Sequence, residues 1–170
     1  MRVPAFHAVT WAEPQRRMQG WGTWTASWIW SLALVAITIA IHASGIVLIG
    51  AASKQIRIRV LRQAANYAGS APTTILLIAA IGFSLAVLVS IECMIWAFVY
   101  VWLGALPSPA DAALYSVDSM TTRGASDLVL APEWRMMGAV EAGDGMLLFG
   151  ISTAFLFYVM LHVWRDETQA

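Results

Sequence analysis

The sequence predicts an all-α membrane protein with three transmembrane helices and one short helix that enters the bilayer without crossing it. Three observations predict it. Hydrophobic residues make up 59% of the 170-residue chain and charged residues only 12%, against about 25% charged in soluble domains. The apolar residues fall in three long runs that are nearly free of charge. Between the second and third runs lies a polar stretch, ALYSVDSMTTRGASDLVL (residues 113–130), which gathers Ser116, Asp118, Ser119, Thr121, Thr122, Arg123, Ser126 and Asp127. Polar, partly non-helical backbone at membrane depth survives only where protein covers it or where it lines water. The stretch therefore reads as a re-entrant loop.

Taken in order, residues 1–22 mix prolines, glycines and the Arg16–Arg17 pair, with no apolar core of signal-peptide length. They read as an interfacial tail, with Trp11, Trp21 and Trp24 at headgroup depth; nine tryptophans suit an aromatic belt. Residues 23–53 form the first span, with His42 its one ionisable group. At 1.5 Å per residue about 20 residues cross the hydrocarbon, so this run spans with tilt. Residues 54–72 form a basic loop: Lys54, Arg57, Arg59 and Arg62 mark it cytoplasmic by the positive-inside rule. NYAGSAP (residues 66–72) supplies turn chemistry before the next span.

The second and third spans and the re-entrant stretch between them form one module, residues 73–165. Its outer helix, 73–106, is uncharged except for Glu92, a carboxylate that must face protein or be neutral at that depth. PSPAD (residues 107–111) then breaks the helix, and Ser108 or Asp111 is placed to cap the short helix that follows. That helix is about 18 Å long, too short to cross. With its loop it fills residues 107–132. The inner helix, 133–165, carries Glu141 and Asp144 near its outer end, where they read as charges at the mouth or as partners for Arg135. Residues 166–170 are a short charged tail. The loop after the outer helix is expected outside and the C-terminus inside.

The same features exclude other classes. Net charge is zero and the sequence pI is about 6.8, so there is no nucleic-acid footprint. Cys93 is the single cysteine, which rules out an intramolecular disulfide. No nucleophile, metal triad or phosphate loop accompanies the carboxylates, so no enzyme, metal or cofactor is expected. No span carries arginine at every third position, so a voltage sensor is not expected.

The segment S-V-D-x-x-T-T-x-G-x-x-D-L (residues 116–128) resembles the pore helix and filter of tetrameric potassium channels. Closely over residues 110–160, more loosely over the first two spans and not at either tail, the chain is similar to small bacterial three-span proteins of the potassium-channel pore-domain type (ion channel family 2). The resemblance implies a homotetramer in the bacterial inner membrane, multi-pass, with lipid and permeating inorganic ions as its partners. Where the family reads T-V-G-Y-G-D, this chain has Thr122, Arg123, Gly124, Ala125, Ser126 and Asp127 after Thr121. Arg123, Ala125 and Ser126 depart from the pattern, so conduction is expected not to be potassium-selective. The family places two acids behind the filter, at Asp118 and Asp127 here. Arg123 then has two directions open: backward, completing a three-charge cluster with both acids, or inward, ringing the pore. Counting from Trp134, Gly145 matches the inner-helix hinge, and Phe149, Thr153 and Phe157 share the face that lines the cavity. His42 and Glu92 match the polar positions of the family's first two spans, where an interhelical pair is expected ahead of a metal site or a proton relay. The alternative function is a non-conducting scaffold or partner subunit that retains the pore fold.

Overall fold

A computed structural model describes the backbone of residues 13–63, 71–124 and 128–167, and the side chains of residues 24–56, 74–124 and 128–162. Among the described residues the chain is predominantly helical, with no strand. Helix α1 runs Glu13–Gln63, α2 Ala71–Trp102, α3 Pro109–Met120 and α4 Arg135–Glu167, the last preceded by a 3₁₀ turn at Pro132–Trp134. Three segments, Trp24–Ile56, Thr74–Trp102 and Pro132–His162, are long and apolar enough to cross a membrane. The chain is a membrane-embedded, multi-pass protein.

Helix α1 is longer at both ends than the sequence predicts. It continues through the basic stretch to Gln63, because KQIRIRVLRQ holds good helix formers and neither glycine nor proline. It begins at Glu13 with Pro14 in its first turn, where a missing N–H costs nothing. Residues 13–22 are thus helix, and so is the basic stretch from Lys54 to Arg62, while residues 64–70 lie outside the described residues.

The three spans are turned inside out relative to a soluble protein. On α1 the buried stripe is Ser27, Ser31, Leu34, Thr38 and His42, polar at four of five positions. Facing it are Leu85, Val89, Glu92, Cys93, Trp96 and Tyr100 of α2, and Met137, Glu141, Asp144, Leu148 and Ser152 of α4. Ile29, Leu48, Leu76, Phe83, Phe98 and Leu147 point outward. Thr38 and His42 are met there by side chains of other helices, since lipid offers no hydrogen bonds, and the Ser31 hydroxyl donates to the Ser27 carbonyl of its own helix. Small residues set the approach of α1 and α2: the place of a side chain at Gly45 is filled by Leu88.

Helix α2 stops at Trp102 rather than running to Leu106. The Ala105 N–H donates to the Tyr100 carbonyl (2.9 Å) and the Gly104 N–H to that of Val101 (3.0 Å). Gly104 has φ +69°. This is the Schellman ending, and glycine takes its left-handed position without strain. Ser108 then caps α3, its side chain accepting from the Asp111 N–H (3.3 Å), with Pro109 first in the helix. Twelve residues cover about 18 Å. The short helix is wedged between α2 and α4, with Ala112, Ser116, Asp118, Ser119 and Met120 buried.

Candidate functional site

The loop that leaves α3 is built by that helix's C-terminal cap. The Arg123 N–H donates to the Asp118 carbonyl and the Thr122 N–H to the Ser119 carbonyl, both at 2.9 Å. The pattern repeats the Schellman ending of α2, but Thr122 stands where α2 has glycine. Its φ of +57° is a left-handed conformation for a β-branched residue. Such a residue costs on the order of 1–2 kcal/mol there. Gly124 (φ +81°) takes a second left-handed turn at no such cost. Thr121, Thr122, Arg123 and Gly124 are exposed on the single chain. Thr121 is satisfied locally, donating to the Val117 carbonyl at 2.7 Å.

Arg123 folds back along α3. Its Nε donates to Asp118 Oδ1 (3.0 Å) and its Nη2 to Oδ2 (3.2 Å), a bidentate arrangement that fixes the guanidinium plane. The two partners differ in burial: the Arg123 side chain is 63% exposed and that of Asp118 only 3%. The acid therefore depends on the pair more than the cation does. Ala125, Ser126 and Asp127 lie outside the described residues, and with them the third charge of the expected cluster.

Inside the bundle, His42 and Glu92 meet. The His42 Nδ1 lies 3.0 and 3.2 Å from the two Glu92 carboxyl oxygens, and its Nε2 lies 3.0 Å from Ser152 Oγ. One imidazole thus ties α1 to α2 and α4, with all three side chains buried. Above it, Asp144 Oδ2 receives the Trp96 indole N–H (3.2 Å) and lies 2.6 Å from Thr38 Oγ1. Higher still, the Tyr100 hydroxyl donates to Glu141 Oε2 (2.7 Å), and Ser116 of α3 sits against Glu141 Oε1. Glu141 and Asp144 are therefore neither mouth charges nor partners of Arg135. Both are buried, because the aromatic hydroxyl and indole of α2 and the hydroxyls of α1 and α3 converge on them.

On α4, Gly145 sits where the end of α3 comes closest. A side chain there would run into the Met120 carbonyl, a backbone group that cannot rotate aside. The position matched to a hinge serves, in this chain, the seating of α3 on α4. Ser119 strengthens the seat, its hydroxyl donating to the Gly138 carbonyl (2.7 Å), and a Cβ at Gly138 would meet the Tyr115 hydroxyl. Phe149, Thr153 and Phe157 are exposed, and Thr153 donates back to the Phe149 carbonyl (2.8 Å). Leu114 and Val117 of α3 are exposed as well.

Sequence reasoning missed the partners of this polar column, namely Thr38, Trp96, Tyr100, Ser116 and Ser152. Their signal was present: Ser27, Ser31, Thr38 and His42 recur at helical spacing in an otherwise apolar span. No three His, Cys, Asp or Glu side chains among the described residues are placed to hold a metal ion. Comparison with protein-family models, curated proteins and solved structures finds no match to this chain.

Proposed function

We propose that four copies of this chain assemble around a central axis into an ion-channel-like pore in the bacterial inner membrane. In this reading α3 is the pore helix, residues 121–127 line the narrowest part, and α4 is the inner helix. The observation that carries it is a twelve-residue helix, too short to cross, held between two full-length spans with its terminal loop exposed on the single chain. Exposed polar backbone at that depth calls for cover by other protein or by water. Leu114 and Val117 on α3, and Phe149 and Phe157 on α4, are exposed apolar side chains that neighbouring copies would cover. The C-terminal end of α3 carries partial negative charge toward the loop, which favours a cation there.

Selectivity is not that of a potassium channel. Arg123, Ala125 and Ser126 replace the valine, the tyrosine and the second glycine of the family's filter, and without that glycine's backbone freedom the repeating carbonyl ladder is harder to form; Thr122 already strains its turn. With the Arg123 guanidinium on Asp118, the loop's positive charge is compensated in place, which favours passage of cations over anions. Purified protein in liposomes under mixed-ion gradients tests this. The expected result is a cation current that discriminates weakly between sodium and potassium. Sharp potassium preference would overturn the selectivity, and absence of flux from an intact tetramer would favour a non-conducting scaffold.

A further inference from the structure

We propose that His42, Glu92, Asp144 and Glu141 form an internal proton-binding site, holding three protons among them in the folded protein. The proposal rests on the interior of the single-chain bundle and not on whether the assembly conducts.

The first support is a count of charge. His42 and Glu92 come from α1 and α2, and Asp144 and Glu141 from α4, each 0–2% exposed. Asp144 lies within electrostatic range of both Glu92 and Glu141 and so links the three acids. Among the described residues, the other titratable groups facing them are Cys93 and Tyr100 on α2 and Tyr115 on α3. None of these is a cation, and Asp118, farther along α3, is matched to Arg123. Three carboxylates against one imidazole leave an excess of two negative charges even with His42 protonated. Uncompensated charge of that size is not tolerated in a buried interior. Three protons over the four groups give neutrality, whether one of them resides on His42 or on Glu92. A metal ion is the other route to neutrality, and the described residues offer no three-ligand site for one.

The second support is a count of hydrogens. Ser116 Oγ lies 2.8 Å from the Cys93 carbonyl and 2.5 Å from Glu141 Oε1. A hydroxyl has one hydrogen, and a carbonyl only accepts. When Ser116 donates to Cys93, the contact with Glu141 is a hydrogen bond only if the carboxyl donates. Thr38 repeats the pattern: its Oγ1 lies 3.0 Å from the Leu34 and Val35 carbonyls and 2.6 Å from Asp144 Oδ2. Serine and threonine in helices commonly donate to such carbonyls of the preceding turn, which again leaves the acid as donor. The other oxygen, Asp144 Oδ1, is buried with no hydrogen-bond partner among the described residues. An ionised carboxylate would leave a charged lone pair bare there; a neutral carboxyl leaves only a weak acceptor.

A folded state that binds more protons than the unfolded chain loses stability as pH rises. The test combines infrared spectroscopy with thermal unfolding of the purified full-length protein in micelles. At neutral pH the wild type should show the carbonyl stretch of protonated, buried carboxyl groups, shifted in heavy water. Part of that band should vanish in Asp144→Asn and part in Glu141→Gln. Because each amide imitates a neutral acid, both variants should keep a cooperative melt, and the double variant's midpoint should fall less with rising pH than the wild type's. A wild type lacking the band at neutral pH would overturn the proposal whatever the variants do. A midpoint that rises with added sodium or potassium but does not respond to pH would replace protons with a bound cation.

Discussion

Replacing Gly145 by alanine should destabilise the protein by about 1–3 kcal/mol, and by leucine more, because the added atoms collide with the backbone of α3. The Met120 carbonyl occupies the space a Cβ would take. A flexible side chain could turn away; a carbonyl at the end of a capped helix moves only if the helix moves. Gly143 and Gly150 supply the control, since nothing lies within 4 Å of a Cβ at either. Alanine there should be neutral on packing and favourable by roughly 0.5–1 kcal/mol on helix propensity. Thermal unfolding in micelles reads the contrast. Equal melting points for Gly145→Ala and Gly143→Ala would mean that α3 does not rest on α4 as described.

His42→Leu should cost about 1–3 kcal/mol for each polar group it strands, and it strands two, Glu92 and Ser152. The loss arises from buried groups left without a partner, not from the net worth of the pair, which is small once desolvation is counted. Removing the acid as well should therefore recover stability. The variant with both His42→Leu and Glu92→Leu is expected to melt above His42→Leu alone. The coupling between the two sites should be at least about 1 kcal/mol in a double-mutant cycle. Additive losses would show that the two side chains do not act together.

The three spans and the short helix were legible because lipid imposes its constraints on composition alone. An uncharged run of membrane length is read directly, and Ser108-Pro109 announces a helix start. His42 and Glu92 were legible for the same reason, each a lone ionisable group in an apolar run that needs a partner from another helix. Glu141 and Asp144 were not. Their place near the start of α4 suggested the mouth, whereas their burial comes from Tyr100, Trp96, Thr38 and Ser116 on three other elements. Basic charge likewise suggested a loop after residue 53, although helix propensity carries α1 on to Gln63. The left-handed Thr122 had no sequence signal at all. That position ordinarily asks for glycine, and here the hydrogen bonds of the α3 ending hold a β-branched residue in its place. The Arg123–Asp118 pair was open between two directions until the guanidinium's position was seen.

In the proposed pore, the exposed loop after α3 is completed by other copies of the same chain. The most direct test of this is the mass of the purified protein in mild detergent, by native mass spectrometry or light scattering. The account predicts four protomers, with the assembly weakened when Leu114 and Val117 on the exposed face of α3 are replaced by charged residues. A stable, well-folded monomer or dimer with no tetramer would contradict it.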